Sequence, residues 1–211
     1  MIFQIVNMKM GEKVIKVEIK NKDIKKINVY KIILIGDSVA GKTCFLLRCF
    51  GERFQELHLT TIGIDFRKKE IQLEESNTVQ LLIWDTPGQE RFFTFIRNYL
   101  PGVDGIILIY DITSIYSFDF VRNWIKKYKE NILEKVPVFL VGNKIDKEEY
   151  RQVTTEEGII LAKKHGFIFY ECSVKSNINI DSIINGILKK INDNYEQIVY
   201  QRNPPKQRKV K

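Results

Sequence analysis

From position 29 onward the chain alternates between two hydrophobic patterns. Short apolar, strand-like runs occur at Tyr30–Ile35, Thr78–Trp84, Gly105–Tyr110, Val136–Val141 and Phe167–Cys172. Each reads as a strand covered on both faces. A further run, Asp65–Leu73, alternates apolar with charged residues, as an exposed edge strand does. Between the runs, Phe118, Val121, Trp124, Ile125, Tyr128 and Ile132 recur at three- and four-residue spacing, the period of a helix with one buried face. Ile180, Ile183, Ile184, Ile187, Leu188, Ile191 and Tyr195 repeat the same pattern near the end. Strands alternating with helices predict an α/β domain with a mostly parallel sheet, which binds ligands at the carboxyl ends of its strands. The pattern divides the chain into an N-terminal extension (1–28), a main domain (29–198) and a tail without regular structure (199–211). Within the extension, Lys13–Lys20 alternates like a strand, and the sequence leaves open whether it joins the main sheet or stays loose.

Charge adds one feature to this picture. The net charge is +8 over 211 residues, and it belongs to the ends. Residues 1–28 hold seven lysines against Glu12, Glu18 and Asp23, for +4; residues 202–211 hold five basic residues and no acid, for +5; the remainder is −1. Basic ends suit solvated tails or contact with anionic lipid or RNA. The neutral middle, without a basic patch rich in aromatics, argues against a nucleic-acid surface, so no DNA partner is expected. No apolar run approaches the roughly 18 residues of a membrane span. The apolar N-terminus is too short for a secretory signal. Three cysteines, Cys44, Cys49 and Cys172, supply neither a disulfide framework nor paired metal-ligand spacing, which fits a reducing, cytoplasmic setting.

The first apolar run stops at GDSVAGKT. Gly36, Gly41, Lys42 and Thr43 fit G-x-x-x-x-G-K-[ST] between a strand and a helix, the context that gives this pattern meaning. A polyphosphate needs close backbone approach. Glycines allow amides to turn inward, and a helix N-terminus adds positive potential. Gly36, Asp37, Ser38, Val39, Ala40, Gly41, Lys42, Thr43 and Cys44 are therefore expected to line the phosphates. Lys42 would reach the terminal phosphates and the Thr43 hydroxyl would bind Mg²⁺. Alone, this loop does not separate a GTPase from an ATPase or a small-molecule kinase.

GNKID narrows the choice. Guanine presents its ring N–H beside its 2-amino group, and a carboxylate accepts from both, whereas adenine leaves the carboxylate unpaired. Asp146 is expected to take that role. The stem of Lys144 would lie over the base, and Asn143 would tie loops together. Ser173, the Val174 amide and Lys175 would hold the base from its other side. After Thr78–Trp84 comes DTPGQ. Asp85 would hold Mg²⁺ through water, the Gly88 amide would donate to the terminal phosphate, and Gln89 would orient the attacking water. Thr61 would be a second protein ligand of Mg²⁺. Two segments that touch one phosphate form a switch.

Gly36–Thr43, Thr61–Phe66, Trp84–Phe92, Asn143–Asp146 and Ser173–Lys175 together resemble the Ras superfamily of small GTPases. TIGIDF, LLIWDTPGQERF, GIILIYDIT and the WI of RNWIKKY are similar to the Rab family, over about residues 29–195. The resemblance implies a P-loop fold, with a six-stranded, mostly parallel sheet flanked by about five helices. It implies GTP/GDP and Mg²⁺ as ligands, slow hydrolysis, and a switch function in vesicle traffic. It also implies exchange-factor, activating-protein and effector partners. Ile64, Phe66, Trp84, Phe92 and Tyr99 would form the effector surface, with Phe66, Trp84 and Tyr99 matching its aromatic triad. His58 stands where some G proteins carry a stabilising arginine, so that arginine is expected from a partner. Two alternatives are a GTP-binding module with negligible hydrolysis and a basic-tailed GTPase associated with nucleic acid. Three departures from the Rab pattern carry expectations. Val39 replaces a small residue and would strain the loop if its φ were positive. Pro87 replaces alanine and stiffens the turn before Gly88. The sequence ends QRKVK, without the family's prenylated cysteine, so membrane association is expected to be weak or partner-mediated, at most at the cytosolic face of endomembranes.

Overall fold

The computed structural model describes residues 4–10, 13–19, 28–55, 63–74, 77–89, 96–128 and 136–202. In chain order the strands are β1 (Gln4–Met10), β2 (Lys13–Ile19), β3 (Asn28–Ile35), β4 (Asp65–Glu74), β5 (Asn77–Asp85), β6 (Gly105–Asp111), β7 (Val138–Asn143) and β8 (Ile168–Cys172). The α-helices described from end to end are α1 (Lys42–Cys49), α2 (Ile115–Tyr128), α3 (Thr155–His165) and α4 (Ile180–Arg202), with a 3₁₀ turn at Ile145–Tyr150.

Six strands form one sheet in the order β4-β5-β3-β6-β7-β8. Every pairing is parallel except that of β4 with β5. β1 and β2 pair antiparallel in a sheet of their own, so the alternating N-terminal segment does not join the main sheet.

The apolar runs are explained by cover on both faces. Along β3, Ile32 and Leu34 face α1 and α4, packing with Phe45, Leu46, Ile183, Ile187 and Leu188. Ile33 and Ile35 face the opposite way, with Phe118, Val121 and Trp124 of α2 and Leu161 and Ala162 of α3. With a side-chain period of two, such a strand is apolar toward both faces rather than alternating.

Helix α3 was not anticipated from the hydrophobic spacing. Its signal lies in its ends. Thr154 accepts from the Glu157 amide while the Glu157 carboxylate accepts from the Thr154 amide, a complete capping box, and Gly166 closes the helix at φ 71°. Strand β7 begins at Val138, two residues later than the sequence suggests; Pro137 has no N–H to offer a ladder, and its carbonyl accepts from Ile106 at 3.0 Å. Helix α4 continues to Arg202, past the expected boundary at residue 198. Ile132 lies outside the described residues, as does residue 203 onward.

Candidate nucleotide-binding site

The motif residues collect along one rim of the sheet, just beyond the carboxyl ends of β3, β5, β6, β7 and β8. The loop after β3 is tight. A Cβ on Gly36 would overlap the Ile109 carbonyl oxygen, and Gly41 caps α1 at φ 89° with Asn143 Nδ2 2.7 Å from where its Cβ would lie. Both positions require glycine, one for space and one for backbone conformation. The Ala40 amide donates to Asp37 O at 3.2 Å, and the Ser38 amide to Asp37 Oδ1 at 2.6 Å. Val39 is not among the non-glycine residues with positive φ, and its side chain is 56 % exposed. The β-branched residue is accommodated without the strain considered above. Cys44 is half-buried on α1.

Three polar side chains meet beneath this loop. Lys42, 4 % exposed, donates from Nζ to Asp37 O at 2.6 Å. Burial pushes its pKa down to about 8, against the opposing pull of the Asp85 and Asp37 charges. Thr43 Oγ1 donates to Asp85 Oδ2 at 2.5 Å. Asp85 is buried, and its other oxygen has no hydrogen-bond partner among the described residues. Burial raises the Asp85 pKa, opposed by the Thr43 hydrogen bond and by Lys42. An oxygen-only pair with one orphaned, desolvated oxygen suits a hard divalent cation, so Thr43 and Asp85 fit Mg²⁺. Next to Asp85, the Thr86 hydroxyl donates to Leu34 O at 2.7 Å and pins the turn to β3. Pro87 and Gly88 are buried, and a Cβ on Gly88 would overlap the Ser38 amide nitrogen. Gln89 is half-buried beside them. Thr61 and His58 lie outside the described residues. The register places Asp65, at the start of β4, opposite Asp85, so the antiparallel edge strand begins at the rim where the parallel strands end.

Around the purine loops one side chain acts as a clasp. Asn143 Nδ2 donates to Ala40 O at 2.9 Å, while its Oδ1 accepts from the amides of Lys144 at 2.8 Å and Val174 at 3.2 Å. The tie between loops expected of Asn143 is thus present. Lys144 adopts φ 74°, and its Nζ pairs with Asp111 Oδ2 at 2.6 Å. Asp146 Oδ1 accepts from the Ser173 hydroxyl at 2.5 Å, and Ser173 Oγ accepts from the Ser176 amide at 2.9 Å. Val174 is buried and Lys175 exposed. Two contributors were missed from sequence. Asp111 positions Lys144; its signal was a carboxylate closing an apolar strand at the same rim. Arg48 donates to the carbonyls of Val174 at 3.1 Å and Lys175 at 3.2 Å, joining α1 to the last loop.

The aromatic residues also gather. Phe66 and Trp84 oppose each other across β4 and β5, with ring centroids 4.8 Å apart at 19°. Tyr99 follows at 5.8 Å from Trp84, tilted by 47°. Phe66 is 49 % exposed, Ile64 is half-buried, and Phe92 lies outside the described residues.

A model of the Ras family matches residues 31–193. Ras-related protein Rab-13 of Mesocricetus auratus is 43 % identical over 164 residues, covering 78 % of this chain and 80 % of the relative. Ras-related protein SEC4 of Candida albicans is 46 % identical over 155 residues, covering 74 % and 73 %. Ras-related protein Rab-8 of Diplobatis ommata is 40 % identical over 188 residues, covering 84 % and 89 %. With a phosphate loop, a paired Thr43 and Asp85 and a guanine-type loop on one rim of this sheet, the chain belongs to the Ras family as a Rab-like small GTPase, a GTP-hydrolysing switch of vesicle trafficking that uses GTP, GDP and Mg²⁺.

Proposed function

We propose a specific division of labour among the residues of this switch. Amides between Gly36 and Cys44 cradle the phosphates, and the Lys42 ammonium exchanges its bond to Asp37 O for the terminal phosphates. Thr43, Asp85 and Thr61 hold Mg²⁺, which supplies charge neutralisation when bound. Gln89 orients water for attack, with Lys42 stabilising the charge that develops; an arginine from an activating protein completes the set. Asp146 reads guanine, the Lys144 stem covers the base, and Asn143 with Ser173, Val174 and Lys175 fixes the loop geometry.

Residues 29–198 act as the GTPase domain, with basic segments on either side. An exchange factor, an activating protein and effectors work through the region that changes with the terminal phosphate. Ile64, Phe66, Trp84, Phe92 and Tyr99 form the effector face, and the protein acts at the cytosolic face of endomembranes. Among the described residues, no helix is long and apolar enough to cross a membrane.

One observation carries this reading: half-buried Thr43 and buried Asp85, hydrogen-bonded at 2.5 Å, meet beside a lysine whose charge is desolvated. The arrangement has little use in a fold held by apolar packing, and it matches a magnesium-bound polyphosphate. Mass spectrometry of freshly purified chain should find a guanine nucleotide, and EDTA should accelerate its release. Single-turnover phosphate release should slow on Gln89→Leu; a rate that this variant leaves unchanged would remove Gln89 from its assigned role.

A further inference from the structure

Lys31 is a lysine in a strand that otherwise reads as core. It is 8 % exposed. Burying an ammonium costs free energy unless donors and charge are matched, and an apolar side chain would fill the space more cheaply. Its backbone is fixed from both directions: its amide donates to Asp104 Oδ2 at 2.7 Å, and its carbonyl accepts from the Asp104 amide at 2.8 Å. Its Nζ donates to Tyr99 O at 2.6 Å and Pro101 O at 3.3 Å. The same Nζ lies 4.8 Å from the centroid of the Trp84 ring.

The register explains the approach. Ile33 is the β5 partner of Trp84, and Lys31, two residues earlier, shares the face of Ile33. One ammonium therefore touches three segments. It stands on β3, which runs on into the phosphate loop. It lies against the aromatic ring that precedes Asp85. It holds two carbonyls of residues 99–101, the stretch that carries Tyr99.

We propose that Lys31 is a positioning residue for the Phe66–Trp84–Tyr99 surface, acting through its charge. The cation attracts the π-face of Trp84 while anchoring the backbone that presents Tyr99, and so fixes the relative tilt of the two rings. The partner class is a protein that inserts apolar or aromatic side chains against this surface. The inference rests on the reading of that surface as the effector face.

The test uses the full chain labelled with 5-fluorotryptophan and loaded with GDP or a non-hydrolysable GTP analogue. The chain has two tryptophans, and Trp124, fully buried on α2, serves as the internal reference. Lys31→Met removes charge and donors; Lys31→Gln keeps an amide donor without charge; Lys31→Arg keeps charge. In the Met and Gln variants the Trp84 fluorine resonance should move while that of Trp124 stays. Nucleotide affinity should stay within about twofold, since the ammonium does not reach the phosphate loop. A synthetic binder, selected from a library on the GTP-analogue form and lost on Phe66→Ala, should weaken about tenfold on Lys31→Met and recover most of that on Lys31→Arg.

If Lys31→Gln leaves both the Trp84 resonance and the binder affinity at wild-type values, the charge is irrelevant and the proposal is overturned. Equal movement of both tryptophan signals with a lowered melting temperature overturns it too, in favour of a merely structural role. If no GTP-dependent binder is sensitive to Phe66→Ala, the effector reading fails, while the fluorine shifts still decide whether Lys31 sets Trp84.

Discussion

The phosphate end and the purine end of the site solve opposite problems. At the phosphate end, Lys42 and Asp85 are charged groups taken out of water, each shifted toward its neutral form by burial. One Asp85 oxygen has no hydrogen-bond partner among the described residues. At the purine end, Asn143 makes a bond with each of three loops, and Asp146 is already held by Ser173. The first end stores a cost that a charged ligand relieves; the second is assembled beforehand. Affinity should therefore depend chiefly on the first, and shape and base preference on the second.

The largest expected effect lies at the charged end. Lys42→Ala removes a charge-assisted contact with the phosphates and should lower GDP and GTP affinity by about a hundredfold, or roughly 3 kcal/mol, with little change in the folded spectrum. Fluorescent-nucleotide titration checks it, and an unchanged affinity would place the charge elsewhere. At the assembled end the stress falls on the fold. Asn143→Ala leaves Ala40 O, the Lys144 amide and the Val174 amide short of a partner, and should destabilise the nucleotide-free chain by about 2 kcal/mol in urea unfolding. Asp146→Asn should weaken guanine nucleotides about tenfold and narrow their advantage over adenine nucleotides. Competition between GDP and ADP measures that preference.

Asp85→Asn separates the two ends by sign. A carboxyl whose pKa is raised by burial favours folding when neutral, and that contribution is lost as pH rises through its folded value. The asparagine variant should therefore stabilise the nucleotide-free chain at neutral pH while abolishing the effect of Mg²⁺ on nucleotide release. A variant that is less stable than wild type would show that the carboxylate is compensated after all. The gentlest signature is in alkali. With Lys42 depressed from 10.5 to about 8, the unfolded chain binds the extra proton between those values, so Lys42 makes stability rise with pH across that window. Lys42→Ala should flatten the slope of the denaturation midpoint over that range, and Asp146→Asn should leave it alone.

The same contrast shows what the sequence made legible. The strands of the main sheet were visible because burial on both faces makes the middle of β3, β6 and β7 almost continuously apolar. The phosphate loop was visible because Gly36 and Gly41 answer to geometric needs that no other residue meets, and those needs fix their spacing. What stayed hidden depended on pairing across the fold. Asp111 is an ordinary acid until β6 brings it to Lys144; Arg48 is a surface-like residue of α1 until the loop after β8 arrives. Lys31 lies inside a run that reads as apolar, and nothing local announces the carbonyls of Tyr99 and Pro101 or the face of Trp84. Helix α3 escaped because its core side is thin, Gly158, Leu161 and Ala162, and its definition comes from Thr154, Glu157 and Gly166 at its ends.

The hairpin of β4 and β5 acts as a ruler. Its ladder shifts between Gln72 and Glu74, and from there the count runs to Phe66 against Trp84 and Asp65 against Asp85. A slip of one rung would turn Phe66 to the reverse side and displace by one residue the point at which the chain leaves for Thr61. An insertion or deletion between that shift and Phe66 would, where the ladder does not absorb it, be felt simultaneously by partner docking and by magnesium coordination. The register set at an outlying ladder shift is in this way part of the switch's calibration.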